Sequence, residues 1–395
     1  MRNEVLLLVG TRPEAVKAAP VALSLAAAPD LCPVIVHSGQ HEHMVDQALA
    51  PFGLLPDERL PVRRAGGGQA ELVSALLPAL DSLLARRKPA AVVVQGDTTT
   101  TLAGALAAFW RGIPVAHLEA GLRTGDLTSP FPEEGNRQMV ARIAALHLAP
   151  TADSARALRA ESVPVPDIVV TGNTVVDAVR IIAAADRPPA DPAFAALEPD
   201  LDAGARLVLV TVHRRESWGA PLDDVLSAVR ALVERHLDLR VLLPAHPNPD
   251  VRAQVDRALA GVPRATVTDP LTYPDLVRAL RRSSLVISDS GGIQEEAPTF
   301  GVPVLVTRDV TERMEAVRAG CARLVGTDRT RVLTAADQAL AANLRLAADR
   351  NPFGDGHAAT RVVEALRRLI TAPRVLGPTL GTPTVPAIVA NALAM

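Results

Sequence analysis

The segment HLEAGLRTGDLTSPFPEEGNRQ, residues 117–138, follows an apolar run and carries a high density of charge. The charged residues in it and directly after it are Glu119, Arg123, Asp126, Glu133, Glu134, Arg137 and Arg142. Carboxylates that lie beside apolar and cationic neighbours can have pKa values that differ from one another, as general acid and base catalysis requires. The segment therefore predicts proton-transfer chemistry.

Proline residues in this segment distinguish one of its carboxylates. Ser-Pro-Phe-Pro at 129–132 predicts a stiff, extended lead-in, because each proline restricts itself and the residue before it. The lead-in fixes where Glu133 points at the start of the following helix. We interpret Asp97, Glu119 and Glu133 as acid/base groups, and Glu134 as a helix cap with surface ion pairs.

Alternating strands and helices must position these residues. Eight apolar runs predict strands, at residues 5–10, 32–38, 90–96, 113–119, 206–213, 239–246, 284–290 and 302–308. Helical patterns separate the runs, and the helix that starts near Glu133 is predicted to continue through His147 into LAPT. Val/Ile/Leu runs that alternate with helices indicate parallel sheets. The pattern predicts an α/β protein with two doubly wound, Rossmann-like domains that face a cleft.

The composition changes where the two domains would meet. Residues 172–204 include a Pro- and Asp-rich stretch that is typical of a linker. We place an N-terminal domain at 1–172 and a C-terminal domain at 173–350. The tail at 371–395 has several prolines and almost no charge, and we predict it to be disordered or loosely docked.

Bulk composition excludes some classes of protein. The chain has 395 residues and a net charge of −2, which argues against binding of nucleic acid or of a membrane surface. Cys32 and Cys321 have no metal or redox spacing, which fits a reducing cytoplasm. The run at 5–10 is too short and polar-flanked for a signal segment, and no run reaches the ~18 residues of a membrane span.

Polar side chains follow the carboxyl ends of predicted strands in both halves. They are Arg12, Asp97, Glu119, the run 213–216, His246, the run 289–292 and the run 308–313. Ligands of open parallel sheets bind outside these strand ends. The pattern predicts an interdomain cleft that binds an anionic ligand.

The motif ISDSGGIQEEA joins a strand to a helix through Ser290, Gly291 and Gly292. Glycine lets backbone amides approach a ligand, and a helix N-terminus favours anions, so a diphosphate fits. Glu296 is placed to accept hydrogen bonds from ribose hydroxyls. The alternative is an ordinary turn in which Glu296 complements the helix dipole. No GxGxxG follows a strand, which disfavours a dehydrogenase.

Two pairs of residues have weaker claims to function. His41 and His43 have the spacing of metal ligands, but no third ligand is evident and we expect no metal site. Trp110 and Trp218 are interpreted as packing residues.

Long ordered motifs in both halves resemble the non-hydrolysing UDP-N-acetylglucosamine 2-epimerases. They include GTRPEAVKAAP, QGDTTTTLAGALAAF, HLEAGLRT, SPFPEEGNRQ, VHRRESWGAPL, SDSGGIQEEAPTFGVPVLV and TERMEAVRAG, between residue 10 and about 328. The resemblance implies a GT-B-like fold with the nucleotide in the cleft. It also implies that the last helix, at 351–370, crosses back to the N-terminal domain.

The chemistry that the resemblance implies needs neither NAD nor a metal. A base removes the C2 proton of the sugar while UDP leaves C1, which gives 2-acetamidoglucal. Return of a proton to the opposite face and re-addition of UDP give UDP-N-acetylmannosamine. The resemblance also implies a homodimer and a second UDP-N-acetylglucosamine that acts as an activator.

The resemblance assigns roles by motif position. The implied catalytic residues are Asp97, Glu119, Glu133 and His213. The implied residues for substrate and UDP are Arg12, Lys17, Arg123, His246, Tyr273, Ser290, Gly291, Gly292, Glu296 and Arg313. The implied activator site comprises Gln40, His43, Arg214 and His246, and it favours the non-hydrolysing branch over the one that releases free sugar and UDP.

Several positions depart from the pattern of the family: His43, Gly135, Ser217, Val310 and Met314. None of them removes an implied catalytic group. A related nucleotide sugar stays open as the substrate. A GT-B glycosyltransferase and a nucleotide-sugar sensor without turnover remain as alternatives of other classes.

Overall fold

Two parallel β-sheets organise the part of the chain that the computed structural model describes: residues 2–41, 43–62, 66–212, 214, 217–343, 345–347 and 350–372. His213 and residues 373–395, for which the sequence predicted a catalytic role and a disordered tail, lie outside the described residues.

The first sheet has seven parallel strands in the order β3-β2-β1-β4-β5-β6-β7. The strands are β1 (Asn3–Val9), β2 (Leu31–His37), β3 (Glu58–Arg59), β4 (Ala91–Gln95), β5 (Val115–Leu118), β6 (Leu146–Ala149) and β7 (Ile168–Val170). The helices along this part are α1 (Arg12–Ala27), α2 (Met44–Leu49), α3 (Gln69–Arg87), α4 (Thr99–Trp110), α5 (Glu133–Ile143), α6 (Ala152–Ala160) and α7 (Thr174–Ala184).

The second sheet has six parallel strands in the order β10-β9-β8-β11-β12-β13. The strands are β8 (Arg206–Thr211), β9 (Leu239–Pro244), β10 (Ala265–Thr268), β11 (Ser283–Ser288), β12 (Val304–Val306) and β13 (Ala322–Leu324). The helices are α8 (Pro192–Ala195), α9 (Glu198–Asp202), α10 (Ala220–Arg235), α11 (Pro249–Ala258), α12 (Tyr273–Arg282), α13 (Gly291–Glu296), α14 (Met314–Arg318), α15 (Arg329–Ala342) and α16 (Ala358–Thr371).

The apolar strands form because they are buried on both faces. In β1, Val5 and Leu7 pack in the cluster that contains α1, whereas Leu6 and Leu8 pack with α3 and α4. The α1 cluster continues into the second sheet, where it includes Leu209. The α/β architecture with two doubly wound parallel sheets, predicted from these runs, is confirmed.

All eight predicted strands are present, and each ends one or two residues before the predicted end. The polar residues at the predicted ends therefore lie in the loops that follow the strands. The prediction of a helix through His147 was wrong, because α5 ends at Ile143 and His147 lies in β6. A four-residue apolar run is too short for its periodicity to distinguish a strand from the end of a helix.

The last described helix lies against the first half of the chain. α16 packs on α1, α7 and β6, and Arg367 pairs with Asp30 at 2.8 Å. The backbone amides of Ala358 and Ala359, at the start of α16, donate to the Asp177 carboxylate of α7. None of the helices in the described ranges has both the length and the apolar character that crossing a bilayer demands.

Candidate active site

A cavity of about 440 Å³ lies between the carboxyl ends of the two sheets. In each sheet the strand order reverses at the two central strands, β1 and β4 in the first and β8 and β11 in the second. Loops diverge at such a switch point and leave a crevice, which is where ligands of open α/β sheets bind. The cavity is lined from the first half by Arg12, Lys17, Asp97 and Glu119 and from the second half by Tyr273, Ser290, Gly292, Glu295, Glu296 and Arg313.

Glu119 directly follows β5 and occupies a left-handed backbone conformation with φ 62°. Non-glycine residues adopt this conformation at an energetic cost, which contacts with the surrounding structure must offset. The amide of Gln95 donates to Glu119 Oε2, and Lys17 Nζ donates to Glu119 Oε1. The carboxylate is thus fixed at the cavity wall by neighbours on β4 and α1.

Glu295 on α13 binds the same lysine from the other half of the protein. Lys17 Nζ lies 2.8 Å from Glu295 Oε2, and Arg313 Nε lies 2.9 Å from Glu295 Oε1. Asn173 Nδ2 lies 3.2 Å from Glu295 Oε2 and 3.5 Å from Glu119 Oε1. Two cations and two carboxylates therefore form one buried network across the seam.

The two carboxylates of this network have pKa values that are shifted in opposite directions. Burial raises the pKa of Glu119, and the charge of Glu295 raises it further, although Lys17 opposes both. Burial also acts to raise the pKa of Glu295, but Lys17 and Arg313 outweigh it and hold the pKa at about 2. Of the two carboxylates, Glu119 is therefore the one that gains a proton more readily. Two carboxylates whose pKa values are shifted apart are the arrangement expected of acid/base groups.

Asp97 follows β4 and is held by α5. Arg137 Nε donates to Asp97 Oδ2 at 2.8 Å, and Asn136 Nδ2 donates to the Asp97 carbonyl at 2.8 Å. Arg137 also contacts Glu134 at 3.1 Å. Asp97 thus lies in the cavity wall with one guanidinium to orient it and with part of its side chain accessible.

Glu134 is fully buried, so the prediction of a surface cap was wrong. Its carboxylate accepts hydrogen bonds from the backbone amides of Thr124 and Gly125 and from the side chains of Arg137 and Gln138. Glu134 does not cap its own helix either, because the start of α5 has no side-chain cap hydrogen bond; it holds residues 124 and 125 against the helix. Residues 129–132 form turns and bends before α5 and not an extended lead-in.

The guanidinium of Arg12, from the first half, lies 5.8 Å from the centre of the ring of Tyr273, which belongs to the opposite wall. Burial raises the pKa of Glu296 to about 7, and the charge of Glu295 contributes to that rise. Burial raises the pKa of the Tyr273 hydroxyl well above its usual value, and the charge of Glu296 raises it further. The Tyr273 hydroxyl and the Glu296 carboxylate are therefore neighbours in this wall of the cavity.

Gly291 allows Arg313 to reach the network. A Cβ atom at position 291 would lie 3.0 Å from Cζ of Arg313 and 3.2 Å from its Nη1. A side chain at this position would press on the guanidinium and require it to shift by a few tenths of an ångström. Ser290 and Gly292 border the cavity at the start of α13.

Four described residues of the predicted catalytic and substrate sets do not line this cavity: Arg123, Glu133, His246 and Gly291. Among the described residues, Glu133 is half-buried at the first turn of α5 and is not part of the cavity wall. Arg123 pairs with Glu161 at 2.6 Å. It lines a second cavity, which Arg308 and Met314 also line.

The four residues predicted for the activator site come from both halves of the chain. His246 borders a third cavity that shares Arg12 and Ser290 with the first, and its ring lies 5.5 Å from that of Trp218. The Arg214 amide donates to Asp289 at 2.9 Å. The other two, Gln40 and His43, lie in the first half.

Gln40 accepts a hydrogen bond from Thr100 at 2.7 Å, and His43 is exposed just before α2. Ser217, one of the departures from the family pattern, donates to Asp289 at 3.1 Å and so ties its loop to the end of β11. Over the described ranges, no group of three or more His, Cys, Asp or Glu residues is arranged to hold a metal ion.

Comparisons with known proteins agree with this geometry. The family model described as UDP-N-acetylglucosamine 2-epimerase matches residues 23–367. The UDP-N-acetylglucosamine 2-epimerase of Escherichia coli K12 is 43% identical over 371 residues, which cover 92% of this chain and 98% of that protein. The chain belongs to the UDP-N-acetylglucosamine 2-epimerase family.

Solved structures place this family member among known folds. The UDP-GlcNAc 2-epimerase of Neisseria meningitidis, crystallised with UDP-GlcNAc bound, has a TM-score of 0.82 and 36% identity, and the match covers 92% of this chain and 100% of that one. MurG of Acinetobacter baumannii shares the fold at a TM-score of 0.58 and 14% identity. The fold is thus GT-B-like, as the sequence predicted.

The sequence analysis did not identify several residues of this epimerase-family site. They are Glu14, Gln95, Asn173 and Glu295. Thr11 and Glu14 form a capping box at the start of α1, which the T-x-x-E spacing indicates. Glu295 stands next to Glu296 in the motif that was singled out, but the sequence gives no reason to prefer one over the other.

Replacement of Lys17 by methionine tests the buried network. Loss of the cation leaves Glu119 and Glu295 facing each other in the interior, so we expect the free energy of unfolding to fall by about 3–5 kcal/mol at pH 8. Glu119 would then take up a proton more readily in the folded than in the unfolded state. The loss should therefore be smaller at pH 5, because folded-state stability that rests on a raised carboxyl pKa declines as pH rises.

Urea unfolding at the two pH values measures this difference. Lys88→Met is the matched control, because Lys88 is the other lysine of the chain and is exposed. A Lys17→Met protein as stable as the Lys88→Met protein would contradict the assignment of a buried ionic network.

Proposed function

We propose that this chain catalyses the reversible C2 epimerisation of UDP-N-acetylglucosamine to UDP-N-acetylmannosamine. The observation that carries the proposal is the cavity in which Arg12, Asp97 and Glu119, from the first half, face Ser290, Gly292 and Glu296. The carboxylates supply proton transfer, and the facing residues supply a site for a nucleoside diphosphate. Membership in the family supports the same substrate.

The reaction proceeds by elimination and re-addition. One carboxylate accepts the C2 proton while the C1–O bond to UDP breaks and its electron pair leaves with the β-phosphate oxygen. The products of this half are 2-acetamidoglucal and UDP. Delivery of a proton to the opposite face of C2 and attack of the UDP oxygen on C1 complete the inversion.

Inversion at C2 removes a proton on one face of the sugar and returns one on the other, so it needs acid/base groups at two positions. Asp97, oriented by Arg137, and Glu119, whose pKa is raised by burial, provide two such groups on one wall. His213 and Glu133 remain in the proposal through the resemblance. The proposed mechanism uses neither NAD nor a metal.

The location of the cavity between two halves fits a reaction with two free intermediates. Glucal and UDP must both be retained until UDP adds again, and a site enclosed by two sheets excludes water from them. We propose the non-hydrolysing course on this ground. Gln40, Arg214 and His246 support it through the resemblance, which also implies an activating second substrate molecule and a homodimer.

NMR of the reaction in deuterated water tests the proposal. The pure protein is incubated with UDP-N-acetylglucosamine, and we expect deuterium at C2 together with UDP-N-acetylmannosamine. Free sugar with stoichiometric UDP would replace the proposal by the hydrolysing reaction. Transfer of the sugar to an added acceptor would indicate a glycosyltransferase. Binding of UDP-N-acetylglucosamine without deuterium exchange or product would indicate a nucleotide-sugar sensor.

Asp97→Asn and Glu119→Gln should each lower turnover by about two to four orders of magnitude, the usual contribution of a general acid or base. Affinity for UDP, measured by calorimetry, should change little, because these side chains are assigned to the sugar and not to the nucleotide. Asp126→Asn is the control, since Asp126 is an exposed carboxylate of the same segment. Loss of UDP affinity in either variant would reassign that residue to binding.

The affinity for UDP should depend on the ionisation of Glu296. An ionised Glu296 accepts hydrogen bonds from ribose hydroxyls, and its pKa in the free protein is about 7. Binding therefore requires loss of a proton below pH 7, so the Kd should rise by up to about tenfold per pH unit as the pH falls and level off above pH 7.

Calorimetric titrations of UDP from pH 5.5 to 8.5 measure this dependence. UDP itself takes up a proton near pH 6, which also changes the Kd with pH. The Glu296→Gln protein retains this contribution of UDP but lacks the contribution of Glu296. Identical pH dependence in the two proteins would refute the role of Glu296.

A further inference from the structure

Glu295 is a buried carboxylate that belongs to one half of the protein and contacts the other. It lies on α13, which follows β11 of the second sheet, and it is 2% exposed. Its partner Lys17 lies on α1, which follows β1 of the first sheet. Neither the family motifs nor the sequence analysis gave Glu295 a role.

The contacts of Glu295 are shared with Glu119. Lys17 Nζ donates to both carboxylates, and the Asn173 amide lies within 3.5 Å of both. Glu119 is thus held through two groups, Lys17 and Asn173, whose positions Glu295 also fixes. Arg313 Nε occupies the remaining oxygen of Glu295 at 2.9 Å.

The charges of the four ionic groups balance. Lys17 and Arg313 contribute two positive charges, and Glu119 and Glu295 contribute two negative charges, all with 16% or less of the side chain exposed. Without Glu295, Lys17 and Arg313 would both face Glu119 in a buried site. Such an excess of positive charge would hold Glu119 as a permanent anion and make it a poor proton carrier.

We propose that Glu295 is a positioning residue for proton transfer at Glu119: it fixes Lys17 from the opposite half and supplies the negative charge that lets Glu119 carry a proton. The inference rests on the proposed function and adds a residue to it. Glu295 sits in the half that carries Ser290, Gly292 and Glu296. The wall that carries these residues therefore helps to hold Lys17 and Asn173, the two groups through which it reaches Glu119.

Two substitutions should move the pH profile in opposite directions. Glu295→Gln keeps the shape of the side chain but removes the charge, so the limb of the kcat/KM profile that reports Glu119 should move by about 1 pH unit to lower pH. Arg313→Gln removes a neighbouring cation, so the same limb should move to higher pH. In Glu295→Gln, kcat should fall by a larger factor than KM changes, because the affected step is proton transfer.

Glu312→Gln is the matched control. Glu312 is a second carboxylate beside Arg313, at 3.4 Å; it pairs with Arg308 at 3.2 Å and makes no hydrogen bond to Lys17 or Asn173 among the described contacts. The limb should stay at its wild-type position in this variant. A uniform loss of rate in Glu295→Gln with an unmoved limb would show a structural role only and overturn the inference.

If the Glu295→Gln protein does not fold, the Arg313→Gln protein tests the inference instead. A limb of its kcat/KM profile at or below the wild-type pH would contradict the proposed charge balance. Wild-type exchange in deuterated water is measured first, so that failure of the proposed function is recognised separately. If the wild-type protein shows no exchange, ¹³C NMR of glutamate-labelled protein follows the titration of Glu119 directly. The Glu119→Gln variant assigns the signal. An unchanged titration in Glu295→Gln would overturn the inference by itself.

Discussion

The requirement that buried charges be paired governs the centre of this protein. Lys17, Glu119, Glu295 and Arg313 come from four different elements, and each would be costly to bury without the others. Their mutual contacts therefore fix α1, the end of β5, α13 and the loop before α14 relative to one another. The same contacts fix the two walls of the cavity, so the ionic network that stabilises the seam also defines the site.

The sheets make this network possible because their switch points face each other. Every strand in the two sheets is parallel to its neighbours, so the carboxyl ends of each sheet lie on one edge. Residues that are distant in sequence, such as Arg12, Asp97 and Tyr273, reach one cavity from these edges. A GT-B-like arrangement thus converts strand-end residues into two opposed walls, one suited to proton transfer and the other to a nucleotide.

The long apolar runs were predictable because a strand buried on both faces is apolar at every position, and this pattern is local. The short strands β3, β6, β7, β10 and β13 were not predicted, since runs of two to four residues lack a period of their own and pair only because a sheet edge is already present. Glu134 illustrates the same limit for side chains. Its position at a helix start suggested an exposed cap, but residues 124–125 lie over it and supply backbone amide donors.

By itself, the sequence determined the fold class, the family and the candidate acid/base and nucleotide-binding residues, because all of these depend on periodicity and on contiguous motifs. Only the tertiary structure decided which of the candidates share a cavity: Asp97 and Glu119 do, whereas Arg123 turns to Glu161. It also decided that Glu295, and not only its neighbour Glu296, takes part. The difference between adjacent carboxylates is which one meets Lys17 from the other half of the chain, and a contact across 278 residues leaves no local trace in the sequence.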